Sequence, residues 1–237
     1  MGKGFCRIMM DPKNDLAIFG GAFDPPHLGH EQALVEVIQK LDLKHVWILP
    51  AWNPPLKTAT TSYDQRLAFC QQMTVRIQNQ VKGFCEVAVS TFERDHQLFY
   101  TADVLEKLNQ QGKKVIFIMG ADQVLQWKRW HRFPEVVGLA NWVIWQRNGM
   151  NPTAIDLTFQ AATGEGWLIQ KTDSVFETLG GAALNGPRSV MRIPISAVAT
   201  SSTEIRAAFA RGNQDYIKSV LHPDTLNTIE RNQLYGT

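Results

Sequence analysis

Two histidines three residues apart, His27 and His30, close the segment Gly20-Gly21-Ala22-Phe23-Asp24-Pro25-Pro26-His27-Leu28-Gly29-His30. The side chains and their order suit phosphate chemistry. Gly20 and Gly21 let the backbone approach a ligand with no Cβ in the way. Asp24-Pro25-Pro26 makes a rigid turn, and a helix beginning near Leu28 would aim its unpaired N–H groups and positive dipole end at whatever sits above that turn. At a helix start, residues three apart face the same side. Two imidazoles donating hydrogen bonds beside backbone amides would stabilise charge building on a phosphoryl group in transfer. A second group with the same chemistry lies far along the chain. In Ser201-Ser202-Thr203-Glu204-Ile205-Arg206, hydroxyls and amides at a helix start, with a guanidinium one turn in, can cradle a polyphosphate.

The elements that must carry these residues alternate. Leu16–Phe19, Val46–Leu49, Phe84–Val89, Val115–Ile118 and Trp142–Trp145 are short apolar runs of the kind that form buried parallel strands. Helical spacing appears over Leu28–Leu41, and again after Ser62, which with Gln65 makes a capping box for a helix bearing Leu67, Phe69, Met73 and Ile77. Thr101 is expected to cap a helix ending near Gly112, and a helix that Asp122 could cap is expected to follow the fourth apolar run and carry Trp127 and Trp130. Two more are expected, from Ser201 to Arg211 and from Pro223 to Leu234. Strand–helix alternation implies an α/β fold with a doubly wound parallel sheet, helices on both faces, and a ligand at the carboxyl ends of the strands where their order reverses. One domain is expected, over 15–237, with 1–14 as an N-terminal extension and about 148–189 as an insertion. That insertion is rich in Gly, Thr, Asn and Ala and reads as a loop or hairpin, with Trp167-Leu168-Ile169 as a candidate strand and no catalytic role.

The two phosphate-binding segments resemble those of the HxGH nucleotidyltransferases, and within them the bacterial nicotinate-nucleotide adenylyltransferases. The resemblance implies a Rossmann-like fold that joins a phosphate acceptor to the α-phosphate of a nucleoside triphosphate and releases pyrophosphate. His27, His30, Lys57 and Arg206 would be the catalytic positive groups. Gly20, Gly21, Phe23, Gly29, Gly120, Asp122, Ser201, Ser202 and Thr203 would bind ATP, with Asp122, in Met119-Gly120-Ala121-Asp122, accepting from ribose hydroxyls. Ala22, Asp24, Tyr100, Thr101, Trp130 and Arg147 would bind a pyridine mononucleotide, Trp130 by stacking on its ring. Lys57 lies in Asn53-Pro54-Pro55-Leu56-Lys57, which is similar to the family's P-P-H-K loop with Leu56 in place of histidine. Glu93 and Phe99-Tyr100-Thr101 are similar to the family's acidic residue and S-Y-T segment, with Phe99 in place of serine.

Composition narrows the classes. The 237 residues carry 24 Lys+Arg against 22 Asp+Glu, a net charge of +2 that does not suggest a nucleic-acid surface. No apolar run approaches a membrane span, so a cytoplasmic protein with no membrane partner is expected. Cys6, Cys70 and Cys85 have no metal or disulfide spacing and read as small buried hydrophobes. Neither GxGxxG nor GxxxxGK[ST] occurs. No carboxylate cluster suggests a protein-held metal, so Mg²⁺ is expected to arrive with ATP. The partners expected are ATP and the mononucleotide, and a homo-oligomer is compatible with the sequence. Two alternatives stay open: a sister nucleotidyltransferase using nicotinamide mononucleotide, phosphopantetheine or a cytidylyl donor, and a non-catalytic nucleotide-binding module.

Overall fold

The computed structural model describes residues 15–56, 59–147, 167–171, 177–183 and 186–237. β1 (Asp15–Gly21), β2 (His45–Pro50), β3 (Glu86–Val89), β4 (Lys114–Gly120), β5 (Asn141–Arg147), β6 (Trp167–Lys171), β7 (Glu177–Ala183) and β8 (Gly186–Ile195) form one sheet. Its order is β3-β2-β1-β4-β5-β8-β7-β6. From β3 to β8 all neighbours are parallel, and β7 and β6 extend the sheet antiparallel beyond β8. The order reverses between β1 and β4. There β2 leaves β1 on one side and β4 leaves it on the other, which opens a cleft above the carboxyl ends.

Alternation along β1 builds a core on each face. Ala17 and Phe19 join Leu34 and Ile38 of α1 (Leu28–Leu41) and Met73 and Ile77 of α2 (Tyr63–Gln80). Leu16 and Ile18 join Leu105 and Leu108 of α4 (Thr101–Gln110), along with Trp127 and Trp142. The short α3 (Phe92–Asp95) precedes α4, and α5 (Ala121–Val124) follows β4. Past β8, α6 (Ser202–Ala210), α7 (Gln214–Val220) and α8 (Pro223–Arg231) close a third cluster in which Ile205, Ile217 and Ile229 surround Phe69.

Several elements match their expected limits. α1 spans Leu28–Leu41, and both hydrogen bonds of the Ser62–Gln65 capping box are made. Others differ. Tyr100, not Thr101, occupies the cap of α4, and Thr101 is its first helical residue. α5 ends at Val124, a 3₁₀ turn covers Trp127–Arg129, and Trp130 follows in extended conformation, so the tryptophans do not share the expected helix. The candidate strand at Trp167 is β6. β7 pairs antiparallel with β6, the hairpin alternative for this region, although no second strand is marked in the sequence because Glu-Thr-Leu-Gly-Gly-Ala-Ala has little of the β-branched alternation of a strand. Residues 1–14 and Cys6 lie outside the described residues. Cys70 and Cys85 are buried free thiols, and burial raises the pKa of both, Cys85 to about 11.

Candidate active site

A cavity of about 660 Å³ opens where the strand order reverses. Its floor comes from the ends of β1 and β4. At Gly20 any Cβ would run into the Phe117 ring, and at Gly120 it would fall 2.5 Å from Asp122 Oδ1 and 3.1 Å from the Trp145 ring. These glycines are required by close packing at the strand ends. The chain then turns through Phe23, 2% exposed with φ of 51°, whose ring lies tilted against Phe19 and edge-to-face with His30.

His27 occupies the N-cap of α1 in extended conformation, and its carbonyl accepts from the His30 amide at 2.9 Å. The His27 amide in turn donates to His30 Nδ1 at 3.3 Å. The imidazoles stack with centroids 3.7 Å apart, His27 buried and His30 half-buried, and both line the cavity. In the neutral His30 ring this hydrogen bond assigns the proton to Nε2. Gly29 does not line the cavity. A Cβ there would sit 2.7 Å from the Val198 carbonyl oxygen, so this glycine lets the segment before α6 pack onto α1.

The distant serine segment packs against the same turn. Ser201 caps α6, accepting from the Glu204 amide, and Ser202 Oγ donates to the Pro25 carbonyl at 2.9 Å. Arg206 donates from NH1 to the Asp24 carbonyl at 2.6 Å and from NH2 to Thr203 Oγ1 at 3.3 Å. One of its five N–H groups therefore holds the histidine turn, and a second is spent within α6 itself. The side chain still lines the cavity, as do Ser201, Ser202 and Thr203.

Asp24 is the hub beneath this turn. Its buried carboxylate accepts from the Thr60 amide (2.7 Å) and hydroxyl (2.9 Å), from Thr61 Oγ1 (2.6 Å) and from the Tyr235 hydroxyl (2.7 Å). Burial alone would raise its pKa. The hydrogen bonds from Thr61, Tyr235 and Thr60 outweigh that and hold it below the usual carboxylate value. Ala22 is fixed similarly: the buried Arg66 donates to the Ala22 carbonyl at 2.9 Å, the Ala51 carbonyl at 2.6 Å and the Trp52 carbonyl at 3.2 Å.

At the other end the wall is aromatic. Tyr100 stacks on His131 at 4.2 Å and Phe99 on Trp52 at 5.0 Å. Trp130 is half-buried and meets Trp127 and Trp142 edge-on. Thr101, Leu56, Arg129 and Asp122 also line the cavity, Asp122 accepting from its neighbour Gln123 at 2.7 Å rather than capping α5. Lys57 lies outside the described residues. Arg147 ends β5, with its side chain outside them as well.

Sequence reasoning passed over Arg66, Thr60, Thr61 and His131. Arg66 had left a signal, because it occupies the buried stripe of α2 in register with Phe69, Cys70, Met73 and Ile77. A charge on an apolar stripe has a buried partner to find. The two threonines and His131 left no such pattern.

Comparison with known proteins agrees with this geometry. The cytidylyltransferase-like family model matches residues 18–208. A probable nicotinate-nucleotide adenylyltransferase of Shewanella sp. (strain W3-18-1) is 31% identical over 232 residues, covering 93% of this chain and 98% of its own. One from Clostridium novyi (strain NT) is 38% identical over 135 residues, covering 56% and 65%. In fold, the chain is similar to the Plasmodium falciparum nicotinic acid mononucleotide adenylyltransferase complexed with NaAD (TM-score 0.68, 17% identity, covering 94% of this chain and 97% of that one). The chain belongs to the cytidylyltransferase-like family, among its nicotinate-nucleotide adenylyltransferases, and is a nucleotidyltransferase with a Rossmann-like fold.

Proposed function

We propose that the chain joins ATP and nicotinate mononucleotide into nicotinate adenine dinucleotide and pyrophosphate, a step of NAD biosynthesis. The observation that carries this reading is the single cavity shared by the histidine turn, Ser201–Arg206, Tyr100–Thr101 and Trp130. One end offers positive and N–H groups for a triphosphate, the other an aromatic wall for a flat ring.

In the reaction an oxygen of the mononucleotide 5′-phosphate attacks the α-phosphorus in line. The bond to the β-bridging oxygen breaks and pyrophosphate leaves with that electron pair. The attacking phosphate is already an anion, so the protein needs no nucleophile of its own. His27, His30 and Arg206 would offset charge on the transferring and leaving oxygens, joined by Lys57, and Gly20, Gly21, Phe23, Gly120, Asp122 and Ser201–Thr203 would hold the rest of ATP. Ala22, Asp24, Tyr100, Thr101, Trp130 and Arg147 would hold the mononucleotide, Asp24 by fixing the turn rather than by touching the ligand. Among the described residues no group of three or more His, Cys, Asp or Glu side chains can hold a metal. Mg²⁺ would therefore enter on the triphosphate oxygens, where it neutralises charge. No helix among the described residues is long and apolar enough to cross a membrane. A cytoplasmic setting suits two phosphorylated, water-soluble substrates.

Pyrophosphate release, measured with ATP and either nicotinate or nicotinamide mononucleotide, tests the reading. Leu56 and Phe99 are apolar where a polar contact to the ring substituent would otherwise stand, so both acceptors belong in the assay. His30→Ala should lower kcat by at least about a hundredfold while the melting temperature stays close to that of the parent. Retained turnover would overturn the phosphate site.

A further inference from the structure

One acidic side chain in the cavity wall has no part in the phosphate chemistry. Glu93, in α3, is 8% exposed and lines the cavity. Its Oε2 accepts from the Trp52 amide at 2.8 Å, and no described residue donates to Oε1. Arg66 is the nearby cation, but its NH groups are committed to the carbonyls of Ala22, Ala51 and Trp52, and it makes no ion pair with Glu93. A buried carboxylate without a direct cation is costly unless a ligand supplies one. The same wall carries Phe99 and Tyr100 from the loop before α4 and Trp130 from beyond α5, and the faces of such rings attract cations.

A pyridine mononucleotide brings that cation, because its ring nitrogen is bonded to ribose and carries a positive charge. We propose that Glu93 is the counter-charge for this pyridinium ring and makes the site select for ring charge. The inference rests on the pyridine-mononucleotide reading above. Its electrostatic setting fits. Burial lifts the Glu93 pKa to about 7, against the Trp52 hydrogen bond and the Arg66 charge. Tyr63 and Arg66 of α2 face it, and Arg94 and Asp95 flank it on α3, Arg94 lying 3.7 Å from Asp64. A bound cation favours the ionised form, so below about pH 7 pyridinium binding drives a proton off Glu93 and the acceptor KM rises as pH falls.

The discriminating ligand is the dihydropyridine form of the mononucleotide, equal in size but neutral in the ring. Glu93→Gln keeps an acceptor for the Trp52 amide and removes the charge. With this variant, KM for the oxidised mononucleotide should rise about tenfold at neutral pH. Its KM for the dihydropyridine and for ATP should change by less than about twofold, and the pH dependence of the acceptor KM should flatten. Glu93→Asp, which restores the charge, should recover the preference. Calorimetry of the wild-type protein in buffers of different protonation enthalpy needs no variant. It should show more protons released by the oxidised ligand than by the reduced one, the shared phosphate cancelling between them. An equal KM change for both acceptors, or equal proton release, would overturn the role of Glu93 and leave the adenylyl-transfer reading standing. A wild-type protein that adenylates no pyridine mononucleotide would overturn that reading, and this inference with it.

Discussion

Asp24 and Glu93 are both buried carboxylates on one cavity, and their neighbours push them in opposite directions. Around Asp24 three hydroxyls and an amide donate, so the charge is favoured although burial opposes it. Around Glu93 a single amide donates, and burial wins. The sign for stability follows for Asp24. A carboxylate held below its ordinary value of 3.8 adds stability that is present above that value and lost as pH falls through the folded one. Asp24→Ala should cost about 2–4 kcal/mol at pH 7, since four donors lose their acceptor together. In denaturant titrations the deficit should shrink as the pH falls below the ordinary carboxylate value of 3.8. A deficit independent of pH would mean that packing, not charge, holds the turn.

Elements were legible where a periodic pattern met a local signal. The fourteen-residue α1 has an apolar stripe and the two-proline turn before it, and α2 has its capping box. Legibility failed where tertiary contact decides. β7 is a strand because β8 and β6 flank it, despite four consecutive small residues, Gly180 to Ala183. The site divides the same way. The histidine and serine segments were readable because their chemistry is local. The role of Asp24 was not, since its donors lie 36, 37 and 211 residues away. Gly29 belongs to this scale too, as a contact between elements. Alanine is the better helix former, yet its Cβ would press on the Val198 carbonyl at 2.7 Å. Gly29→Ala should therefore destabilise by about 1–3 kcal/mol and lower activity by shifting α6 from the histidine turn. A thermal melt at or above that of the parent would show that the segment yields freely.

Across the whole molecule, Tyr235 ties the helices after β8 back to the first turn. Its ring stacks on Phe209 of α6 at 5.7 Å, and its hydroxyl, held un-ionised by burial and by Asp24, donates to that carboxylate. Tyr235→Phe keeps the stack and removes one donor to a charged group, so it should cost about 1.5–3 kcal/mol. Chemical denaturation checks this, and an unchanged midpoint would mean that Thr60 and Thr61 satisfy Asp24 unaided.

The reversal of strand order also governs how the chain must fold. β1 is flanked by β2, some thirty residues on, and by β4, where Asp15 pairs with Lys114. Until β4 docks, β1 keeps an open edge and the cleft has one wall. Ser202 reaches Pro25 across 177 residues, so the histidine turn is among the first segments of the chain and among the last to be secured. Closing loops of that length before any contact rewards them places the chain among slow folders, with its histidine turn completed late.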